Sequence, residues 1–131
     1  KGTMPRTGGE YFTNLRKSNQ KIQVTESGLY YEIIKKGSSR RPGAKDTVVV
    51  HYEGRLTDGT VFDSSIERGT PATFPVDQLI PGWAEGLRLM GEGGKAKLHI
   101  PANLAYGHKG SPFGIPPGAT LVFDVVLLEI K

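Results

Sequence analysis

Cysteine is missing from this 131-residue chain, which excludes disulfide frameworks, thiolate chemistry and cysteine-ligated metals. Its absence leaves the compartment open, because cytosolic proteins and thiol-avoiding exported ones share it. No stretch approaches the roughly 18 unbroken apolar residues of a membrane span. Neither G-x-x-x-x-G-K-[ST] nor G-x-G-x-x-G occurs, so no loop is built to cradle phosphate. No serine sits in a G-x-S-x-G elbow. His51, His99 and His108 are scattered, without the spacing or carboxylate helpers of a zinc site. Hydrolytic and metal-dependent chemistry therefore have no visible machinery. There are no internal repeats.

What is present suits one domain with a real core and is hardly enough for two. The net charge of +4 is unevenly placed, with +7 in residues 1–45 and −3 in residues 46–131. The basic part lacks interleaved aromatics and reads as a solvated face, with an anionic partner as the alternative. The chain begins at Lys1 with no signal-peptide core and reads as processed or cut from a longer protein.

Residues 1–9 have no periodicity and read as a lead-in. Tyr11, Phe12 and Leu15 have roughly helical spacing over residues 10–19, too short to stand alone in water. This segment reads as the end of a longer helix. Strands follow near Ile22–Val24 and Leu29–Ile34. The clearest strand alternates Val48, Val50, Tyr52 and Leu56 on one face with Val49, His51, Glu53 and Arg55 on the other. Asp58-Gly59 supplies a hairpin turn, and Thr60-Val61-Phe62 starts back. Residues 63–71 read as a polar loop or bulge, and Phe74 sits on a short extended piece.

Val76 to Trp83, V-D-Q-L-I-P-G-W, opens the one substantial helix expected. It holds the only tryptophan, and Trp83, Leu87 and Met90 form one apolar face. Pro81 suits the first helical turn, and Asp77 is a candidate cap for that turn or a preceding one. Gly91 to Gly94 reads as the helix stop, with a residue in left-handed geometry. Ala96, Leu98 and Ile100 alternate with Lys95, Lys97 and His99, placing His51 and His99 on outward faces. Residues 102–119 form a long Gly/Pro-rich loop, functional or mobile. Leu121, Phe123, Val125 and Leu127 line a final strand.

The fold class is α+β: an antiparallel, strongly twisted sheet of about five to six strands wrapped around one short helix. Strand phase puts Tyr52, Phe62, Phe74, Trp83, Tyr106 and Phe123 on one side. Aromatics that converge on one helix mouth would form a concave apolar pocket. The alternative for each is plain core filling, and Trp83 by periodicity alone fits either.

V-x-V-H-Y-x-G-x-L-x-D-G-x-x-F-D-S-S (48–65), I-P-G-W (80–83), A-Y-G (105–107) and I-P-P-x-A-T-L-V-F-D-V (115–125) resemble the FKBP-type peptidyl-prolyl cis/trans isomerases. The resemblance runs from about Ser27 to Lys131. I-x-V-T-E-S-G-L-Y-Y ahead of it is similar to the bacterial Mip-like branch, in which an N-terminal helical region dimerises. The resemblance implies residues 1–20 as a tail and linker-helix end, and residues 21–131 as the isomerase domain.

It implies Tyr52, Asp63, Ile80 and Tyr106 as catalytic residues, and Phe62, Arg68, Leu79, Trp83, Ile115 and Phe123 as substrate-binding ones. The Ile80 N–H and the Tyr106 hydroxyl would hold the peptide carbonyls, and Trp83 would seat the proline. Asp63 would orient the Tyr52 hydroxyl or face the twisting carbonyl, unless it only satisfies neighbouring donors. The implied partners are proline-containing polypeptides and macrolide inhibitors, with no nucleic acid, metal or cofactor. The chain as cut would be a monomer, the full-length protein a homodimer in the periplasm or cell envelope, with the cytoplasm as the alternative. Three positions depart from many members: Ala72 for a wall phenylalanine, Ser111 for a loop histidine and Gly114 for an aliphatic residue. These departures motivate a second reading, a binding module or holdase that kept the pocket without the rate.

Overall fold

The computed structural model describes residues 9–112 and 114–131. The expected lead-in, residues 1–9, falls almost wholly outside them. One antiparallel sheet carries the molecule. Its strands are β1 (Gln23–Val24), β2 (Tyr30–Lys35), β3 (Thr47–Leu56), β4 (Val61–Ser64), β5 (Ala72–Pro75), β6 (Lys95–Ile100) and β7 (Leu121–Ile130). They run in the order β1-β2-β6-β7-β3-β4, and β5 pairs with β3 beyond the end of β4. Seven strands replace the expected five to six, because the short extended piece that carries Phe74, β5, also pairs with β3.

β3 and β7 form the long central pair, from Val48 opposite Ile130 to Leu56 opposite Leu121. Their inward residues Val48, Val50, Tyr52, Leu121, Phe123, Val125 and Leu127 are buried, as the alternation requires. On that face lies α3 (Pro81–Arg88), with Trp83, Leu87 and the following Met90 in the core. Pro81 occupies its first position, but Asp77 does not cap it. Asp77 lies in a separate 3-10 turn (Val76–Gln78), and Ile80 begins α3 without a side-chain cap.

Two glycines set the depth of α3. A Cβ on Gly82 would lie 2.4 Å from Ile100 Cγ2, and one on Gly86 would lie 2.6 Å from Leu98 Cδ1. Their spacing of four puts both on one helix face, so the helix backbone rests directly on β6 and holds Trp83 at the sheet's mouth. The helix ends at Arg88, before the glycine run expected to stop it. Within that run only Gly93 has positive φ, in the turn into β6.

Two other expectations change. Residues 63–71 are not a loop throughout: Asp63 and Ser64 complete β4, and α2 (Ser65–Arg68) is a single turn. Ser64 Oγ caps it by accepting the Glu67 N–H. His99 faces away from α3 as expected, yet it is only 3% exposed. The cause is α1 (Gly9–Ser18), which packs on the outer face of the sheet. Phe12 stacks on Tyr30 with centroids 4.4 Å apart, and the Tyr11 hydroxyl lies 2.8 Å from His99 Nδ1. A helix too short for water is stabilised here by what it covers.

Candidate active site

The inward side chains at the mouth of the sheet leave a cavity of about 370 Å³ between β3, β4, β7 and the start of α3. It is lined by Tyr52, Phe62, Asp63, Phe74, Gln78, Leu79, Ile80, Trp83, Tyr106 and Phe123. The volume suits a proline ring with its flanking peptide. Trp83 lies at the centre of the aromatics. Its ring meets Tyr52 and Phe123 edge-on at 5.2 Å and Phe74 at 5.9 Å, and Phe62 meets Phe123 edge-on at 5.5 Å. Edge-to-face packing fixes ring orientation as well as burying area, so the walls are rigid.

A glycine in β3 makes room for two of these rings. A Cβ on Gly54 would lie 2.6 Å from Phe123 Cε2 and 2.7 Å from Phe62 Cζ. At the same level the β3–β4 register shifts, leaving Phe62 without a partner across the strands. Such a bulge re-aims a side chain.

One wall is polar. The Tyr52 hydroxyl donates to Asp63 Oδ2 at 2.6 Å, Arg68 Nη1 donates to Asp63 Oδ1 at 2.5 Å, and Arg68 Nη2 donates to the Tyr52 oxygen at 3.0 Å. Burial pushes the Tyr52 phenol up, and its bond to Asp63 adds to that. Burial alone would raise the Asp63 carboxyl, but the bonds from Tyr52 and Arg68 outweigh it and hold the group below the usual carboxylate range. Asp63 is therefore ionised, with both oxygens engaged. The Tyr52 proton is also spent inside this triangle.

Two residues that line the cavity carry unspent donors. Among the described residues nothing accepts the Ile80 N–H, because Ile80 precedes α3 and its amide lies outside every ladder. The Tyr106 hydroxyl has no hydrogen-bond partner among them either, and Tyr106 is 41% exposed at the rim.

The structure brings eight of the ten sequence-derived site residues to this cavity. Arg68 reaches it through Asp63 and Tyr52. Ile115 lines a neighbouring cavity of about 480 Å³ with Phe62, Asp63, Tyr106 and Ser111. The loop that carries Tyr106 and Ile115 is pinned there: Ile115 is buried, Ser111 and Ile115 bridge, and the Gly118 N–H donates to the Gly107 carbonyl at 2.8 Å. Phe74, grouped with the converging aromatics but not among those ten, lines the main cavity. So does Gln78, which carried no signal beyond its place next to Leu79-Ile80. Of the three departures, Ala72 packs partly buried at the core edge, Ser111 lines the neighbouring cavity, and Gly114 comes within reach of Phe62. None lines the main cavity.

Residues 38–128 match the family model described as FKBP-type peptidyl-prolyl cis-trans isomerase. A probable FKBP-type isomerase, FkpA, of Neisseria meningitidis is 52% identical over 122 residues, covering 93% of this chain and 45% of the relative. "Outer membrane protein MIP" of Legionella longbeachae is 48% identical, covering 94% of this chain and 53% of the relative. The crystal structure of FkpA from Escherichia coli superposes with a TM-score of 0.91 at 48% identity, over 95% of this chain and 57% of that one. The chain thus spans about half the length of the curated relatives it matches.

Proposed function

The chain belongs to the FKBP-type peptidyl-prolyl cis-trans isomerase family, and from that premise we propose that its aromatic cavity accelerates rotation about X-Pro bonds in polypeptides, assisting their folding. The observation that carries this is an apolar box holding two unspent donors, the Ile80 N–H and the Tyr106 hydroxyl.

An X-Pro amide is kept planar by resonance, behind a barrier of about 18–20 kcal/mol, and exchanges over tens to hundreds of seconds. The planar form separates charge between nitrogen and oxygen, and the twisted form has less. Leaving water for an apolar box therefore penalises the planar amide more than the twisted one. Each ~1.4 kcal/mol of that difference gives a tenfold rate gain. Trp83 forms the floor for the proline ring, and Tyr52, Phe62, Phe74 and Phe123 its walls. The Ile80 N–H and the Tyr106 hydroxyl hold substrate carbonyls on either side of the rotating bond. Asp63 and Arg68 fix the Tyr52 ring and consume its proton, so their role is to position. No bond is made or broken, and no proton moves.

Residues 21–131 are the isomerase unit in this reading, with residues 1–20 an N-terminal tail and linker-helix end whose first eight positions lie outside the described residues. Substrates are flexible or unfolded chains containing proline, and macrolide inhibitors of the family compete for the same cavity. The Legionella relative's printed name supports placing the whole protein in the cell envelope; a homodimer for the whole protein and a monomer for this stretch belong to the same reading. The test is acceleration of cis/trans exchange in an X-Pro peptide, with and without a macrolide inhibitor. A folded chain that neither accelerates exchange nor responds to the inhibitor refutes the reading.

A further inference from the structure

β4 is the outermost strand on its side of the sheet, and its one strand partner among the described residues is β3. A strand so placed leaves alternate backbone N–H and C=O groups unpaired along its outer edge. A second cavity of about 370 Å³ lies here, lined by Val61, Phe62, Asp63, Ser64, Glu67 and Arg68. Successive strand residues point to opposite faces. A cavity bordered by four consecutive strand residues therefore follows the strand's edge and not either face. It adjoins the proline cavity, because Phe62 and Asp63 line both.

We propose that this edge is a second subsite, which takes an extended stretch of the substrate polypeptide beside the X-Pro bond as an added strand and favours a basic side chain there. The inference rests on the isomerase reading above. Addition of a strand to a free edge is an established mode of peptide recognition: backbone hydrogen bonds supply affinity and side-chain pockets supply selectivity. The bulge at Phe62 interrupts the edge within β4 and the turn of α2 follows its far end, so it cannot act as a long template for indiscriminate pairing. The four residues of β4 match about 13 Å of extended chain. A segment that leaves the proline cavity over Phe62 meets this edge without turning back. The selectivity follows from charge. Asp63 is neutralised by Arg68, whereas the Glu67 carboxylate has no ion-pair partner among the described residues. A lysine or arginine in the added segment pairs with it, and a glutamate there is repelled.

The test compares kcat/KM of the chain on X-Pro tetrapeptides with that on peptides extended by four residues on one side or the other, carrying Lys or Glu in the extension. The extended Lys peptide is expected to gain about tenfold over the tetrapeptide, the yield of one or two net backbone hydrogen bonds. N-methylation of the extension should remove the gain at every second amide and spare it at those between, because only alternate groups face the strand. Glu67→Lys should reverse the preference between Lys and Glu extensions. Equal kcat/KM for short and extended peptides overturns the subsite and leaves the isomerase reading standing. So does a gain insensitive to the position of the N-methyl group. A chain that accelerates none of the peptides refutes the isomerase reading, and the subsite with it.

Discussion

Acid should destabilise the fold through one residue, His99. The imidazole is 3% exposed, under α1. Its Nδ1 lies 2.8 Å from the Tyr11 hydroxyl, and its Nε2 is buried with no hydrogen-bond partner. An imidazolium needs acceptors at both nitrogens, and the site offers one. Burial is the main cause that lowers the pKa, to about 4. Lys97 and Arg55 add to it, and Asp124 and Glu32 oppose it. Unfolded, the same histidine titrates near 6.5. Between these values the unfolded chain binds a proton that the native chain refuses, so stability falls as pH falls through that window. At ~1.4 kcal/mol per unit the full window is worth about 3 kcal/mol. Urea unfolding of the parent and of His99→Gln, from about pH 7 to about pH 4, isolates the effect. Carboxylates with depressed pKa, Asp63 among them, also lose stabilisation in acid, but they do so in both proteins. The parent should lose about 3 kcal/mol more than the variant over this range. Parallel curves for the two proteins would refute the reasoning.

Trp83→Leu should lower kcat/KM on an X-Pro peptide at least tenfold. It should also lower stability by roughly 2–4 kcal/mol, since three edge-to-face pairs at about 0.5–1.5 kcal/mol each are lost beside the area term; exchange kinetics and urea melts read the two. Asp63→Leu frees the Tyr52 proton and releases Arg68, so activity should fall about tenfold or more. Stability should move little, because both charged partners are partly exposed; a loss of folding instead would assign Asp63 to structure alone. Gly54→Ala pushes a methyl into Phe123 and Phe62 and should weaken inhibitor binding more than it weakens the fold, as titration calorimetry against urea melts would show.

By itself the sequence determined the sheet, the tight hairpin at Asp58-Gly59 and the inward aromatic set, because period-2 alternation and turn chemistry are local signals. It also carried the family, whose motifs name residues that the fold then gathers at one cavity. The tertiary structure decided what depends on distant partners. His99 reads as an outward strand residue until α1, some 80 positions earlier, covers it. β5 reads only as a short extended piece until it pairs with β3. The triangle of Tyr52, Asp63 and Arg68 needs a strand bulge and the turn of α2 to bring its corners together, and no periodicity encodes either. The unspent Ile80 amide and the free edge of β4 belong to the same class. An unpaired backbone group is defined by everything that fails to reach it, and only the folded chain settles that.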